Sequence, residues 1–345
     1  MRRSIWRTLF RVLAGALLVG GTSIYLLLFN QTRLAIDASR GISEATFVSI
    51  GGIDQWIQIR GEDRDNPVLL WLNGGPGASM IPATPVLRPF EKNFTVVLWD
   101  QRGEGRTFQR SGRAVAPTMT IERMARDGIE VAEYLRDHLH KGKIILLGHS
   151  WGSILGIHMI KARPNLFHAY VGTGQVANLR QGVEIGYPQA LAKARAAGNA
   201  KAVSELEAVG PPPYADIQKY FVPLVWENRL DQSPSLLVRV AMAMESVFQP
   251  YLAEGAEFSQ GVMLGPMLDA DLPMIASRFD IPVFFFQGAD DIITPTELAR
   301  EYFDHLEAPK KEFVQFPDAG HLAVLYARDA FVRELEVRVR PLATR

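Results

Sequence analysis

Short apolar segments alternate with helical segments along most of this chain, and this alternation constrains the fold more than any other feature. Residues 68–72 and 95–99 are short apolar runs, the second of which begins with a threonine, as strands buried on both faces of a sheet are. Between residues 121 and 139, apolar side chains recur at spacings of three and four, which predicts one buried face of an amphipathic helix. Such alternation predicts an α/β fold, a mostly parallel sheet with helices on both faces.

The predicted strands fall into two groups, separated by a long segment without strands. Residues 178–272 contain helical segments and Pro211-Pro212-Pro213 but no convincing strand. We therefore expect a first part of the core at 34–177, a helical cap at 178–272 and a second part of the core at 273–345. The other predicted strands are 46–50 and 55–60, which form an antiparallel hairpin, and 144–147, 169–171, 282–287 and 312–316, with a last helix over 322–338.

The first 33 residues differ from the rest of the chain. Arginines at positions 2, 3, 7 and 11 precede residues 12–29, which are 18 residues without a charge. A membrane-spanning helix needs about 20 mostly apolar residues, and basic residues before the span favour a cytoplasmic N-terminus. Residues 1–33 therefore predict a single-pass membrane anchor, with the rest of the chain on the non-cytoplasmic side. A cleaved signal, which would leave a secreted or periplasmic protein, is the alternative.

The composition excludes several classes of site. The chain has no cysteine, which excludes disulfides, thiolate nucleophiles and Cys-ligated zinc. It has 37 Lys and Arg against 37 Asp and Glu, and no basic stripe suggests a nucleic-acid partner.

Residues 148–152 read Gly-His-Ser-Trp-Gly and match the pattern G-x-S-x-G. The pentapeptide follows a predicted strand and opens a predicted helix, which is the context that the nucleophile elbow of a serine hydrolase requires. The sharp turn strains the backbone at Ser150, and a side chain at either glycine would collide with the neighbouring strand or helix. Ser150 is therefore the predicted nucleophile.

A serine hydroxyl needs a base and an orienting acid, which in this arrangement follow the serine in the order acid, then His. Of the seven histidines, His321 alone lies after the last predicted strand and before the last predicted helix, so it is the predicted base. The acid is expected in the loop after strand 282–287. Asp291 is favoured, because such loops commonly read G-x-x-D with a proline four residues on, and Asp290 is the alternative.

Two backbone N–H groups should stabilise the developing oxyanion. One is expected from Trp151, the residue after the nucleophile. The other is expected from the glycine-rich turn after strand 68–72, where Gly75 is favoured and Gly74 is next.

Three motifs together resemble the proline iminopeptidase family of α/β-hydrolases, the S33 serine peptidases. Residues 73–77 (NGGPG), 100–106 (DQRGEGR) and 148–153 (GHSWGS) are similar to the family motifs HGGPG, DQRGxGxS and GxSWG. The resemblance covers residues 46–177 and 271–340. It implies the α/β-hydrolase fold and an aminopeptidase or related amide or ester hydrolase, with no metal and no organic cofactor.

Two features depart from the family pattern. Asn73 stands where the family usually has His, and Pro223 stands where the first Trp of a W-x-x-W-E stretch is expected. The glutamate of that stretch binds the substrate's free amine in the family, so the resemblance implies Glu227 as a substrate-binding residue. The other candidates in the cap are Glu245 and Glu254.

The same catalytic machinery serves more than one substrate class. The first hypothesis is an aminopeptidase acting on short peptides, and the second is a carboxylesterase or lactonase acting on small apolar esters. A third, from another class, is an inactive membrane-tethered binding protein, but an intact set of Ser150, Asp291 and His321 argues against it.

Overall fold

One eight-stranded sheet organises the computed structural model of this protein, which describes residues 35–231 and 249–343 and the isolated positions 15, 20, 21 and 23. The strands are β1 (Ile42–Ile50), β2 (Ile53–Gly61), β3 (Val68–Leu72), β4 (Thr95–Asp100), β5 (Ile144–His149), β6 (Phe167–Thr173), β7 (Val283–Gly288) and β8 (Lys311–Phe316). Their order across the sheet is β1-β2-β4-β3-β5-β6-β7-β8. Pairs β1–β2 and β2–β4 are antiparallel and the other five pairs are parallel. The prediction of a mostly parallel sheet is confirmed.

Helices cover both faces of this sheet. In chain order they are α1 (Thr84–Glu91), α2 (Gly105–Ser111), α3 (Ile121–His138), α4 (Trp151–Ala162), α5 (Leu179–Ala196), α6 (Ala200–Val209), α7 (Phe221–Leu230), α8 (Pro250–Asp269), α9 (Leu272–Ile275), α10 (Thr296–His305), α11 (Ala323–Tyr326) and α12 (Arg328–Glu334). Short 3₁₀ turns and a π-helical turn, Leu335–Val339, complete the described chain.

Strand β3 shows why the central strands are apolar at every position. Leu70 and Leu72 pack with α3 and α4 on one face, while Leu69 and Trp71 pack with α1 and α12 on the other. Side chains alternate between the two faces of a strand, so a strand covered on both sides has no position that faces water. Each such side chain stabilises the fold by about 1.5–3 kcal/mol when fully buried.

The segment between β6 and β7 is helical where the structure describes it, and we call its helices α5 to α9 the insert. It has a small core of its own, in which Tyr187 and Trp226 pack with Ile292 and Ile293. The two isoleucines belong to the loop after β7, so the insert is packed directly onto that loop. The limits of the predicted cap, 178–272, stay a prediction.

The last predicted helix is the main difference in secondary structure. The structure divides residues 322–338 into α11, α12 and the π-helical turn Leu335–Val339. Ala327, between α11 and α12, has φ −96° and ψ 25°, which lie outside the α-helical range. A break of this kind leaves the apolar spacing almost unchanged, so periodicity alone does not detect it.

The predicted membrane anchor is corrected by the structure. Among the described residues, no helix combines the length and the apolar character that a membrane crossing needs. The longest, α8, has 20 residues but carries Glu254, Glu257 and Asp269, whereas a spanning helix is predominantly apolar. Residues 12–29, for which the anchor was predicted, lie outside the described residues except at positions 15, 20, 21 and 23. The predicted single-pass localisation, given with signal cleavage as its alternative, is therefore wrong for the described residues.

Candidate active site

Ser150 lies in a strained turn between β5 and α4. Its backbone has φ 53° and ψ −120°, a left-handed conformation that non-glycine residues rarely adopt. The Ser150 N–H donates to the carbonyl of Thr173 at 3.0 Å, which ties the turn to the end of β6. The side chain of Ser153 donates to the Ser150 carbonyl at 2.6 Å. A residue held in such a conformation by its surroundings is typical of a functional site.

The two glycines of the elbow are required by close packing. A Cβ on Gly152 would lie 2.2 Å from the carbonyl oxygen of Leu72, and one on Gly148 would lie 2.6 Å from the carbonyl oxygen of Gly152. Neither obstacle is a flexible side chain, so neither contact can relax cheaply. The turn that presents Ser150 therefore needs glycine at both positions, as the motif predicts.

His321 and Asp291 are in direct contact. His321 Nδ1 lies 3.0 Å from Asp291 Oδ2 and 3.2 Å from Oδ1. Asp290 is exposed, and its N–H donates to the carbonyl of Ala319. Of the two acids left open by the sequence, Asp291 is the one that meets the histidine.

The loop after β7 holds the Asp291 carboxylate through several donors. Oδ1 accepts the N–H groups of Ile293 and Thr294, both at 2.9 Å. Oδ2 accepts the Thr294 hydroxyl at 2.7 Å and the side-chain amide of Gln287 at 2.9 Å. The carboxylate is thus oriented before it meets His321, which is what an orienting acid requires.

Burial and charge act in opposite directions on this pair. Burial disfavours charge on Asp291, but the charge and hydrogen bond of His321, with the donors of Thr294, hold its pKa below the usual range. Burial likewise disfavours the imidazolium of His321, but the charge and hydrogen bond of Asp291, with the charge of Asp231, raise its pKa above 6.5. A base with a raised pKa is a stronger proton acceptor, which suits proton abstraction from a hydroxyl group.

The end of β5 brings the nucleophile turn close to His321. The imidazole of His149 lies 4.9 Å from that of His321 between ring centroids, and its Nε2 lies 3.2 Å from the His321 carbonyl oxygen. Burial, followed by the charge of His321, lowers the pKa of His149 to about 3. His149 is therefore neutral at physiological pH and supports the site by packing and hydrogen bonding.

The glycine-rich turn after β3 packs against the elbow. A Cβ on Gly74 would lie 2.8 Å from His149 Nδ1 and 3.2 Å from the Cβ of Ser150. Gly75 has φ 110°, in the region that favours glycine. Trp151 is the first residue of α4, and the first N–H groups of a helix have no acceptor within it. Of the predicted oxyanion donors, Gly74 and Trp151 therefore lie beside Ser150 and Gly75 follows Gly74 in the turn; their role stays a prediction.

A buried layer of carboxyl groups beneath this turn was not predicted. The side-chain amide of Asn73, the residue at the family's His position, donates to the Trp99 carbonyl at 3.1 Å and also to Glu104. Asp100 accepts the Ser79 hydroxyl at 2.5 Å. Burial, opposed by that bond, raises the pKa of Asp100 to about 6. Burial and the charge of Asp100 raise the pKa of Glu104 well above its usual value. The sequence carries a signal for this layer only in the motif at 100–106, which does not show that the charge of Asp100 affects Glu104.

Glu227 is fully buried on α7, at 0% exposure. Neither carboxylate oxygen has a hydrogen-bond partner among the described residues. A Cβ on Gly186 would lie 2.4 Å from the Ile292 carbonyl oxygen and 2.7 Å from Glu227 Oε1, so this carboxylate lies beside the loop that carries Asp291. Of the other candidates in the cap, Glu254 is exposed and Glu245 lies outside the described residues.

Asp231, one helical turn after Glu227, was missed by sequence reasoning. Its Oδ2 accepts the N–H of His321 at 2.8 Å. No local motif marks an aspartate that contacts a residue 90 positions away. Among the described residues, no group of three or more His, Asp or Glu side chains is arranged to hold a metal ion.

The chain is similar to known proteins over most of its length. It matches the serine aminopeptidase family S33 over residues 87–325. A probable aminopeptidase of Bacillus subtilis (strain 168) is 32% identical over 317 residues, which cover 88% of this chain and 99% of the relative. A proline iminopeptidase of Lacticaseibacillus rhamnosus (strain Lc 705) is 25% identical over 291 residues, which cover 81% of this chain and 92% of the relative.

A solved structure shows the same fold. The proline iminopeptidase-related protein of Thermus thermophilus has a TM-score of 0.64 and 20% identity, covering 88% of this chain and 99% of that one. The resemblance inferred from the three motifs is thereby confirmed. The chain belongs to the serine aminopeptidase family S33 and is an enzyme of the α/β-hydrolase type.

Proposed function

We propose that this enzyme is a proline iminopeptidase-like aminopeptidase that releases the N-terminal residue of short peptides through an acyl-enzyme. The observation that carries the proposal is the buried, unpartnered carboxylate of Glu227 beside the loop that carries Asp291. The contact between His321 and Asp291 supports the hydrolytic chemistry.

The proposed reaction follows the serine hydrolase pattern. Ser150 Oγ attacks the scissile carbonyl carbon while His321 Nε2 takes its proton, and Asp291 holds the proton on Nδ1. The N–H groups of Trp151 and of Gly75 or Gly74 stabilise the oxyanion. As the C–N bond breaks, His321 returns the proton to the leaving amine, and water then hydrolyses the ester to Ser150 in the same way.

The buried Glu227 supports a substrate that carries a free amine. An isolated carboxylate is costly to bury unless a cation or hydrogen-bond donors compensate it. Burial and the charge of Asp291 raise the pKa of Glu227 well above its usual value. The α-ammonium group of a peptide would supply the missing positive charge and N–H donors, two from an N-terminal proline and three from any other residue. A small apolar ester supplies neither, so Glu227 favours the peptidase over the esterase.

The test compares two substrates on matched variants. We expect the wild type to hydrolyse prolyl-aminocoumarin, which has a free amine. Glu227→Gln should raise KM for that substrate by about 10- to 100-fold, because losing a hydrogen bond to a charged group costs about 1.5–3 kcal/mol. Hydrolysis of a short p-nitrophenyl ester, which has no amine, should change little. Glu254→Gln replaces an exposed glutamate of the same insert and serves as the matched control.

Two results would contradict the proposal at different levels. Turnover of the ester with no free-amine substrate accepted would establish the esterase instead of the aminopeptidase. Equal labelling of the wild type and Ser150→Ala by a fluorophosphonate probe would reject Ser150 as the nucleophile.

A further inference from the structure

The loop after β8, which carries His321, is held in place by a carboxylate of the insert, that of Asp231. The proposed reaction does not use this carboxylate. We propose that Asp231 is a positioning residue for His321, and that through it the insert sets the orientation of the base. The inference rests on the proposed function in one respect, because it takes His321 as the base.

Three observations define the contact. Asp231 is 7% exposed, and its Oδ2 accepts the N–H of His321 at 2.8 Å. A Cβ on Gly320 would lie 2.2 Å from Asp231 Oδ1 and 2.6 Å from Oδ2. The carboxylate therefore lies against the peptide between Gly320 and His321, and residue 320 must be glycine for it to approach. Oδ1 has no hydrogen-bond partner among the described residues.

His321 is restrained at four points, and these come from different parts of the chain. Asp291 contacts Nδ1 and His149 contacts the carbonyl oxygen. Gly174 lies under the ring, since a Cβ there would be 2.8 Å from His321 Cε1. Asp231 holds the backbone N–H, and of these four residues it alone belongs to the insert's helical segment, directly after α7. The position of the insert is thus transmitted to the histidine through Asp231.

The same helix end carries the proposed amine site. Asp231 directly follows α7, and its N–H donates to the carbonyl of Glu227 at 2.9 Å. An ammonium bound at Glu227 would therefore rest on the helical turn that also holds the His321 peptide. Substrate binding and the orientation of His321 would then both depend on α7, so any movement of this helix would affect both.

The charge of Asp231 adds a measurable consequence. Burial opposes the imidazolium of His321, whereas Asp291 and, more weakly, Asp231 favour it. Removing the charge of Asp231 while keeping an acceptor should lower the pKa of His321. Among the described residues, the titratable groups near His321 or Asp231 are Asp291 on the loop after β7, Asp231 and Glu227 at the end of α7, His149 at the end of β5, Lys193 on α5 and Tyr326 on α11.

The experiment uses the full chain with two substitutions at Asp231 and one control. Asp231→Asn keeps an oxygen that can accept the His321 N–H, so it should retain most of kcat and shift the acid limb of kcat/KM to lower pH. Asp231→Ala removes the acceptor and should lower kcat for a p-nitrophenyl ester by about 10- to 100-fold, the scale that a misplaced catalytic group costs. Asp216→Asn changes an exposed aspartate of the insert that also accepts a backbone N–H, and it should change neither quantity.

A double-mutant cycle separates this role from general destabilisation. Gly320→Ala should reduce kcat in the wild type, because its methyl group displaces the Asp231 carboxylate. In the Asp231→Ala background the obstacle is gone, so the same substitution should cost less. Additive effects, or an unchanged kcat and pH profile in folded Asp231→Ala, would overturn the proposal.

An NMR titration of the His321 ring keeps this test independent of turnover. A lower ring pKa in Asp231→Asn than in the wild type supports the contact even for a protein with no measured substrate, and an unchanged pKa rejects it. If the wild type does not react with a fluorophosphonate at Ser150, the proposed function itself is contradicted. His321 then has no role as a catalytic base, and the positioning role of Asp231 no longer follows.

Discussion

Replacing Asp291 by asparagine tests the proposed triad at the residue whose surroundings are best defined. Oδ1 faces two backbone N–H groups, of Ile293 and Thr294. Backbone donors cannot rotate away, so the oxygen of the new side chain must stay on that side. The NH₂ group then takes the place of Oδ2, next to Nδ1 of His321 and the amide of Gln287.

This orientation determines the effect on catalysis. An amide N–H beside His321 Nδ1 favours the tautomer in which Nδ1 accepts and Nε2 carries the proton. That tautomer cannot take the proton of Ser150, and the negative charge that stabilises the imidazolium is also lost. The comparable substitution in a serine protease triad lowers kcat about 10⁴-fold, which corresponds to about 5 kcal/mol of transition-state stabilisation.

The assay compares Asp291→Asn with Asp290→Asn. Asp290 is the adjacent aspartate, exposed and without contact to the histidine in the described structure. We expect kcat for a p-nitrophenyl ester and the rate of fluorophosphonate labelling to fall steeply in the first variant and to stay close to wild type in the second. A loss of less than tenfold in Asp291→Asn, or an equal loss in Asp290→Asn, would refute the assignment of the acid.

Three further predictions concern pH. Since His321 must be neutral to act as a base and its pKa is raised, kcat/KM for an ester should fall as pH drops through a value above 6.5, and a profile flat to pH 5 would contradict this. Glu227 also has a raised pKa, so KM for a free-amine substrate should fall as pH rises through that pKa while the amine is still charged; a KM independent of pH would count against the carboxylate as the amine site. Raised carboxyl pKa values stabilise the fold below the unfolded-state pKa and lose that contribution as pH rises. Because burial and Asp100 raise the pKa of Glu104, its contribution to the free energy of unfolding should be lost between pH 5 and pH 8, while the lowered pKa of His149 acts in the opposite direction. The wild type should therefore lose more stability, or gain less, than Glu104→Gln over this range; an equal change in the two proteins, measured by denaturant unfolding, would contradict this.

The local sequence was sufficient to predict those parts of the site whose structure depends on residues that are neighbours along the chain. The apolar runs marked the central strands, because a strand covered on both faces excludes polar side chains. The glycines at 148 and 152 marked the turn around Ser150, because a Cβ at either position would lie within 2.6 Å of a backbone oxygen. Chain order then predicted His321 and the loop of Asp291, since parallel strands end at the same edge of a sheet.

Contacts between distant segments were decided by the tertiary structure alone. Sequence could not choose Asp291 over Asp290 by contact, because both lie in one loop and only its folded path brings one carboxylate to His321. It could not show that Glu227 is buried or that Asp231 reaches the histidine loop, because both depend on how α7 packs onto the core. Short-range patterns in a sequence report local backbone sterics and the burial of strands. The position of the insert depends instead on contacts between residues about 90 positions apart, such as Asp231 and His321. The periodicity of apolar residues does not encode such contacts.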